Sequence, residues 1–507
     1  MNALNRSLLN SDFNFNKDLK IGNKNKLTEK VLQFGEGNFL RAFVDYMIDE
    51  LNSNNLFNGS IALVQPIEHG LIDTVNKQDG LYTLFLRGLE NGEEVLEKKI
   101  ITSVTRGVNP YINFKDYMEC AKNPDLRVIV SNTTESGIIY RSGDKLTDEP
   151  PISFPAKITA FLYERFKIFE GDKTKGVIFI PCELIDYNGT TLKKYVLQYV
   201  EEWNLPKEFT QWLHESNYFT NTLVDRIVTG YPKDEANETC EQLGYADDLL
   251  NTAEIFHFWV IEAPKELAEE LPFDKIGLNV VWTEDATPYK MRKVRILNGA
   301  HTMSALLAYL AGKDTVLQLM QDNDFRNYLK KGLFDEIVPT LDLEYNDLKS
   351  FADSVFDRFA NPYIKHYLLS ISLNSISKYK TRVLPSLLEY IKRKNELPAI
   401  LTFSFASLIA FYKGTEISDN ALLGIRNGES YKIQDDSKVL EFFQDQWKNW
   451  SNDYESTERL VKLVCANTNF WGLDLNNLDG FTKSVSETLY ALLTTDVCEQ
   501  LKNLIKE

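Results

Sequence analysis

Lys293, Asn298 and His301 carry three side chains that a carbonyl reduction can use, and they lie within nine residues of one another. A lysine bordered by apolar residues loses part of its hydration, so it can exchange a proton near neutral pH. An asparagine amide donates to an oxygen that is gaining negative charge, and a histidine holds a substrate hydroxyl. Thr287 suits an N-cap and Pro288 the first helical position, while Val294, Ile296, Leu297, Ala300, Met303, Leu306 and Leu307 supply an apolar face. On an α-helix the three polar residues project at about 0°, 140° and 80°. By spacing alone, the same pattern also describes a helix with a solvated polar side.

The elements that must position such a set begin with a strand at 30–34 that runs into Gly35 and Gly37. Phe39, Phe43, Tyr46, Met47 and Leu51 follow at helical spacing. Strand, glycine turn and helix together let backbone N–H groups approach a pyrophosphate. Leu40 stands where the third glycine of Gly-x-Gly-x-x-Gly would be, so the fingerprint is incomplete and also fits a plain tight turn. Another strand is expected at 60–66. Gln65 occupies its end, where an acidic residue ordinarily binds the adenosine ribose of a dinucleotide. An amide there serves either NAD or NADP.

Residues 78–86 and 97–104 alternate like strands of a hairpin inserted after the second main strand. A buried strand is expected at 126–131, followed by a polar turn containing Asn132, Thr133 and Glu135. Another is expected at 176–185, ending near Asn188 ahead of a helix at 190–203. Segments 254–262 and 278–282 read as closing strands, with His257 in an aromatic run that suits a core. Asp225 and Arg226 read either as polar groups near a ligand or as a structural salt link.

Beyond residue 285, long apolar-periodic segments at 288–312, 314–332, 345–359, 361–377, 382–394 and 399–413 indicate a mainly helical domain, interrupted by a polar stretch at 414–436. Arg358, Lys365, His366, Lys378 and Arg382 concentrate positive charge there. Such groups suit a substrate carboxylate, although solvated helix surface also accommodates them.

The chain has 507 residues and a formal charge of -17, which suggests two domains, 1–285 and 286–507, and argues against a nucleic-acid or anionic-membrane partner. Five scattered cysteines without Cys-x2-Cys spacing, a polar start and the absence of a long apolar run lead us to expect a reduced cytoplasm. Five isolated histidines without His-x3-His spacing lead us to expect no metal.

Lys-x4-Asn-x2-His at Lys293, Asn298 and His301, and Gly-x-Gly-x-x-x-Arg-Ala at Gly35, Gly37, Arg41 and Ala42, resemble motifs of the mannitol dehydrogenase family, the polyol-specific long-chain dehydrogenases. Val224 to Ile227 and the Arg-Phe-x-Asn-Pro run from Arg358 to Pro362 agree with it. The resemblance implies an α/β N-terminal Rossmann-like dinucleotide-binding domain with inserted strands, then a mainly α-helical C-terminal domain. It implies NAD as cofactor and a small sugar acid or polyol as substrate. It assigns catalysis to Lys293, Asn298, Asn188 and His301, with Asn188 as a second carbonyl-polarising amide. Arg358, Asp225, Lys365 and His366 are expected to bind substrate. Phe34, Gly35, Gly37, Asn38, Phe39, Arg41, Gln65, Asn132, Thr133 and Glu135 are expected to hold the cofactor. One departure is Lys290, which stands where the mannitol enzymes carry a glutamate three residues before the lysine.

Overall fold

In the computed structural model, which describes residues 1–134 and 136–506, the chain divides into two units. One comprises Met1–Gly88 and Glu94–Ala286; the other comprises Leu89–Glu93 and Thr287–Glu507.

The first unit is built on six parallel strands: β1 (Glu29–Phe34), β2 (Ser60–Val64), β3 (Val104–Val108), β4 (Val128–Ser131), β5 (Ile178–Pro181) and β6 (Tyr218–Phe219). Their spatial order is β6-β5-β4-β1-β2-β3, a doubly wound arrangement. Successive residues of a strand point to opposite faces, and here both faces are dry. Val31, Ile61, Leu63, Val128, Val130, Ile178 and Ile180 enter one core, which Met47, Ile48 and Leu51 of helix α1 (Val44–Ser53) complete. Leu32, Phe34, Ala62, Val64, Ile129 and Phe179 enter the other, against helices α2 (Phe154–Ile168) and α3 (Asn188–Glu202).

The inserted hairpin is present as Tyr82–Glu90 and Glu93–Ile101. It joins a five-stranded sheet with Leu19–Ile21, Asn251–Glu254 and Val228–Gly230. The expected strand at 97–104 runs over two elements, because the chain leaves the hairpin at Ile101 and starts β3 at Val104. The expected strand at 254–262 is also two: Asn251–Glu254 and Phe258–Glu262 belong to different sheets.

The second unit is mainly helical. It begins with α4 (Thr287–Arg292), a π-helical segment at Lys293–Asn298 and α5 (Gly299–Leu310). Later come α6 (Tyr345–Phe359), α7 (Ser375–Arg382) and α8 (Ala399–Phe411). Helix α8 is buried on nearly every side, so it has no polar stripe to betray its period. Where one helix was expected at 361–377, residues 361–367 form a connection, because Asn361 and Pro362 end the helical run. The polar stretch at 414–436 is a three-stranded antiparallel sheet.

Arg165 shows how the first unit ties its loops. Its buried guanidinium donates to the carbonyls of Ala121, Asn123, Leu126 and Lys175 at 2.7–3.0 Å. Arg165→Met keeps the stem but leaves these buried acceptors without donors, at a cost of roughly 3 kcal/mol or more. Thermal denaturation should show a lower midpoint for this unit; an unchanged midpoint would mean that water replaces the guanidinium.

Candidate active site

At the carboxyl ends of the parallel strands of the first unit, three loops are bonded to one another. Gly35, at φ 118°, follows β1, and a Cβ there would lie 2.9 Å from the carbonyl oxygen of Asn132. The position therefore needs glycine both for its backbone angle and for the close approach. Asn132 follows β4, and its Nδ2 donates to Cys182 O at 2.7 Å, joining the loop after β5. Glu183 completes the tie by accepting from Ser131 Oγ and from both N and Oγ1 of Thr133, at 2.9–3.0 Å. Burial raises its pKa. Sequence reasoning missed Glu183; its one signal was an acid directly following an apolar strand.

The residues expected to hold a cofactor separate into two groups. Gly37 and Asn38 are exposed, and Phe39 is half-buried and stacked on Phe43 at 5.0 Å. With Gly35, Asn132 and Thr133, they make up the surface of the turn. Phe34, Arg41 and Gln65 are buried and shape the turn from behind. The Arg41 guanidinium donates to Glu36 O, Leu249 O and Asn38 Oδ1 at 2.6–3.1 Å and lies over the Tyr82 ring. Gln65 Nε2 donates to the carbonyls of Ile67 and Glu68, both at 3.0 Å, folding the loop after β2. Glu135 lies outside the described residues.

Asn188 opens α3 and is fully buried. Its Nδ2 is within hydrogen-bonding distance of Pro181 O, Glu183 O and Thr222 Oγ1 at 3.0–3.2 Å, and its Oδ1 accepts from Gly189 N and Thr222 N, both at 2.9 Å. Both ends of this amide are thus engaged within the unit. Asp225 ends the strand Asn221–Asp225 and is buried. Arg226 is also buried and donates to the carbonyls of Ala42, Glu254 and Ile255, a structural role. His257 accepts from Asn279 N at 3.0 Å, as a core histidine should.

In the second unit, the helix that carries Lys293, Asn298 and His301 is not α-helical throughout. Lys293 begins the π segment and Asn298 ends it. With i→i+5 bonding the helix advances only about 80–85° per residue, so five residues place Asn298 about 40–60° from Lys293 instead of about 140°. Three α-helical residues later, His301 returns to nearly the same azimuth as Lys293. The π turn thus gathers the three polar groups onto one narrow face, closer than the expected plain α-helix would. No residue in the sequence announces it.

Around His301 the structure assembles the other basic residues. The imidazole stacks on Phe359 at 4.1 Å and meets the His366 ring edgewise at 4.9 Å. Its Nε2 is buried with no hydrogen-bond partner among the described residues. Burial, then the positive environment of His366, Arg358, Arg382 and Lys378, holds its pKa well below the ordinary value. Burial and Lys378 also lower that of His366. Arg358 is buried in the last turn of α6. Lys365 is exposed, and its charge does not figure among those acting on His301. Lys290 lies one turn before Lys293 in α4 and is half-buried. Among the described residues, no group of three or more His, Cys, Asp or Glu side chains could hold a metal, all five cysteines are free, and no helix is long and apolar enough to cross a membrane.

A doubly wound nucleotide-type unit followed by a helical unit with a Lys-Asn-His face defines a dehydrogenase architecture, and comparison with known proteins agrees. Residues 29–275 match the mannitol dehydrogenase Rossmann domain, and residues 285–493 match the mannitol dehydrogenase C-terminal domain. The chain belongs to the mannitol dehydrogenase family of oxidoreductases. Within it, the chain is similar to the altronate oxidoreductases of Escherichia coli O7:K1 and of Enterobacter sp. strain 638. Each is 48% identical over 477 residues, covering 94% of this chain and 97% of the relative. Two solved structures share the fold. Pseudomonas fluorescens mannitol 2-dehydrogenase, in a ternary complex with NAD and D-mannitol, has a TM-score of 0.64 at 21% identity over the full length of both chains. A substrate-free D-sorbitol dehydrogenase has a TM-score of 0.78 at 21% identity, covering 98% of this chain and 100% of the other.

Beneath the glycine turn lies a titratable tie. Gln33 Nε2 donates to Gly35 O at 3.1 Å, while Gln33 Oε1 and the neighbouring Asp45 Oδ1 are both buried acceptors without a donor. Burial raises this carboxyl from 3.8 to about 7, with the Asp49 charge also raising it. Between those values the folded chain holds a proton that the unfolded chain releases, so this group's contribution to stability declines as pH rises through that window. Asp45→Asn carries a permanent donor. The difference in melting temperature between variant and wild type should therefore shift in the variant's favour from pH 5 to pH 8. A constant difference would rule out a proton held on Asp45 in the folded chain.

Proposed function

We propose that the chain is an NAD-dependent altronate oxidoreductase, or tagaturonate reductase. It moves a hydride reversibly between NAD(H) and the carbon that is a CH–OH in D-altronate and a carbonyl in D-tagaturonate, a step of hexuronate (galacturonate) catabolism in the cytoplasm. The observation that carries this reading is the 48% identity to altronate oxidoreductases over nearly the whole length. The Lys-Asn-His face on the π-turned helix supports it, because that face has the groups an alcohol–ketone interconversion needs.

The first unit fits the dinucleotide: the turn at Gly35 and Gly37 has no Cβ to block backbone N–H groups, and Asn38, Phe39, Asn132 and Thr133 complete the surface. NAD, when bound, supplies the hydride acceptor, and NADH the donor. Lys293 Nζ takes the hydroxyl proton as the C–H bond of altronate breaks and the C=O bond forms; in reduction its ammonium returns that proton to the oxygen. The Asn298 amide donates to the same oxygen and favours the state in which it carries negative charge. His301, neutral because of its burial and positive neighbours, offers its free Nε2 to a sugar hydroxyl without adding charge. Arg358 and His366 help to hold the substrate chain. Asn188 acts through the loops after β5 and in front of Thr222.

Initial rates of NADH oxidation with tagaturonate, fructuronate and fructose test the reading. Tagaturonate should give the highest kcat/KM, and a higher value on fructuronate would reassign the enzyme within its family. Lys293→Ala should abolish turnover while NADH affinity, read by fluorescence titration, stays near that of wild type. A variant retaining more than about a tenth of wild-type kcat, a barrier change below about 1.4 kcal/mol, would remove Lys293 from the proton-transfer role.

A further inference from the structure

The second unit holds a concentration of positive charge that proton transfer does not use. Lys378 and Arg382 are four residues apart on α7, so they project from one side of the helix. Two contacts fix that helix. The Arg382 carbonyl oxygen lies 3.4 Å from where a Cβ on Gly299 would sit, at the start of α5, and Arg295 donates to the Thr381 carbonyl at 2.5 Å. The positive charges of both Lys378 and Arg382 reach His301, whose Nε2 is free. Lys378 Nζ makes one hydrogen bond, to Ile371 O at 2.9 Å, which holds the ammonium in place and leaves two N–H groups. Arg382 is partly buried, and among the described residues none provides an acceptor for its guanidinium. Asp435 is the acid that acts on Lys378, but its oxygens already accept from Tyr412 Oη, Ile376 N and Asp436 N. Partly desolvated cations beside an unpartnered imidazole form a site for an anion, within a chain whose net charge of -17 would otherwise repel one.

We infer that Lys378 and Arg382 bind the carboxylate of the sugar acid and so set the preference for a uronate over a neutral keto-sugar. The inference rests on the substrate reading above and assigns the group that reading left open. Of the other basic residues, Lys365 is exposed and His366 is disposed to be neutral by its burial and by Lys378. Arg358 is left to the hydroxyls. The planar guanidinium suits two-point contact with a carboxylate, and the ammonium adds a point charge beside it.

The test compares wild type, Lys378→Met and Arg382→Met in two measurements. One is kcat/KM with tagaturonate and with fructose; the other is calorimetric binding of altronate to the enzyme–NADH complex, which cannot react. Each variant should lose about 10- to 100-fold in kcat/KM on tagaturonate and a similar factor in altronate affinity, with a clearly smaller loss on fructose. The charge-conserving Lys378→Arg and Arg382→Lys should recover most of the preference, and melting curves on all four variants identify any that fail to fold. Equal proportional losses on both substrates, or unchanged altronate affinity in a folded methionine variant, overturn the assignment. A wild-type enzyme that neither reduces tagaturonate nor binds altronate overturns the substrate reading itself. Normal wild-type turnover with unselective variants overturns only the roles of Lys378 and Arg382.

Discussion

One backbone constraint organises the Lys-Asn-His face: the helical turn at Lys293–Asn298 is wound with i→i+5 bonds, between two α-helical stretches that are not. A π turn is less favourable than an α turn and persists only where its surroundings hold it. Here Ile296 and Leu297 are buried within the segment, so its apolar side is anchored. The wider turn changes the azimuth of everything after it by tens of degrees. An α-helix of the same sequence would scatter the lysine, amide and imidazole over about 140° of arc; the π turn narrows that arc to about 60°. Fixing the geometry in the backbone also fixes it in advance of any ligand, which is what the proposed role of the Asn298 amide requires.

The electrostatics follow from what surrounds that face. Lys378, Arg382 and Arg358 act on His301 with the same sign, and burial adds to their effect. A histidine so placed is held neutral at pH values where an exposed one would titrate, and it can give or take one hydrogen bond at each nitrogen. On the assignment inferred above, Lys378 and Arg382 are the cations that a carboxylate would complement. Neutral imidazole and neighbouring cations are therefore linked: the positive charge around His301 also keeps it from acting as an acid.

Much of this was legible in the sequence. The glycine turn, the strand following it and the Lys-Asn-His spacing each have a local cause, and the structure contains the corresponding elements. What escaped has causes that are not local. The π turn follows from packing around Ile296 and Leu297, with no residue type to mark it. The bonds of Asn188 were hidden too, because Asn-Gly after a strand does not reveal that Thr222, thirty-four residues later, returns to its amide. That Arg41 and Gln65 are buried behind their loops was not visible either, since a motif gives position along the chain and not the direction of the side chain. The hairpin was visible, but β3 was hidden behind it, because two short strands separated by two residues read as one apolar run.

The acids behind the nucleotide turn complete the physical picture. Glu36 accepts from Leu71 N, Glu183 from Thr133 N, and Asp247 from Thr83 N and Leu249 N, so each uses backbone donors to fix a loop. Four buried carboxylates, these and Asp45, would be a poor neighbourhood for a pyrophosphate if all were ionised. Burial raises the pKa of every one of them, Asp45 to about 7. Burial favours the protonated form of each, while the hydrogen bonds it accepts favour the ionised one. Each acid therefore fastens its loop through the donors it accepts from, and those bonds offset part of the cost of burying a carboxylate.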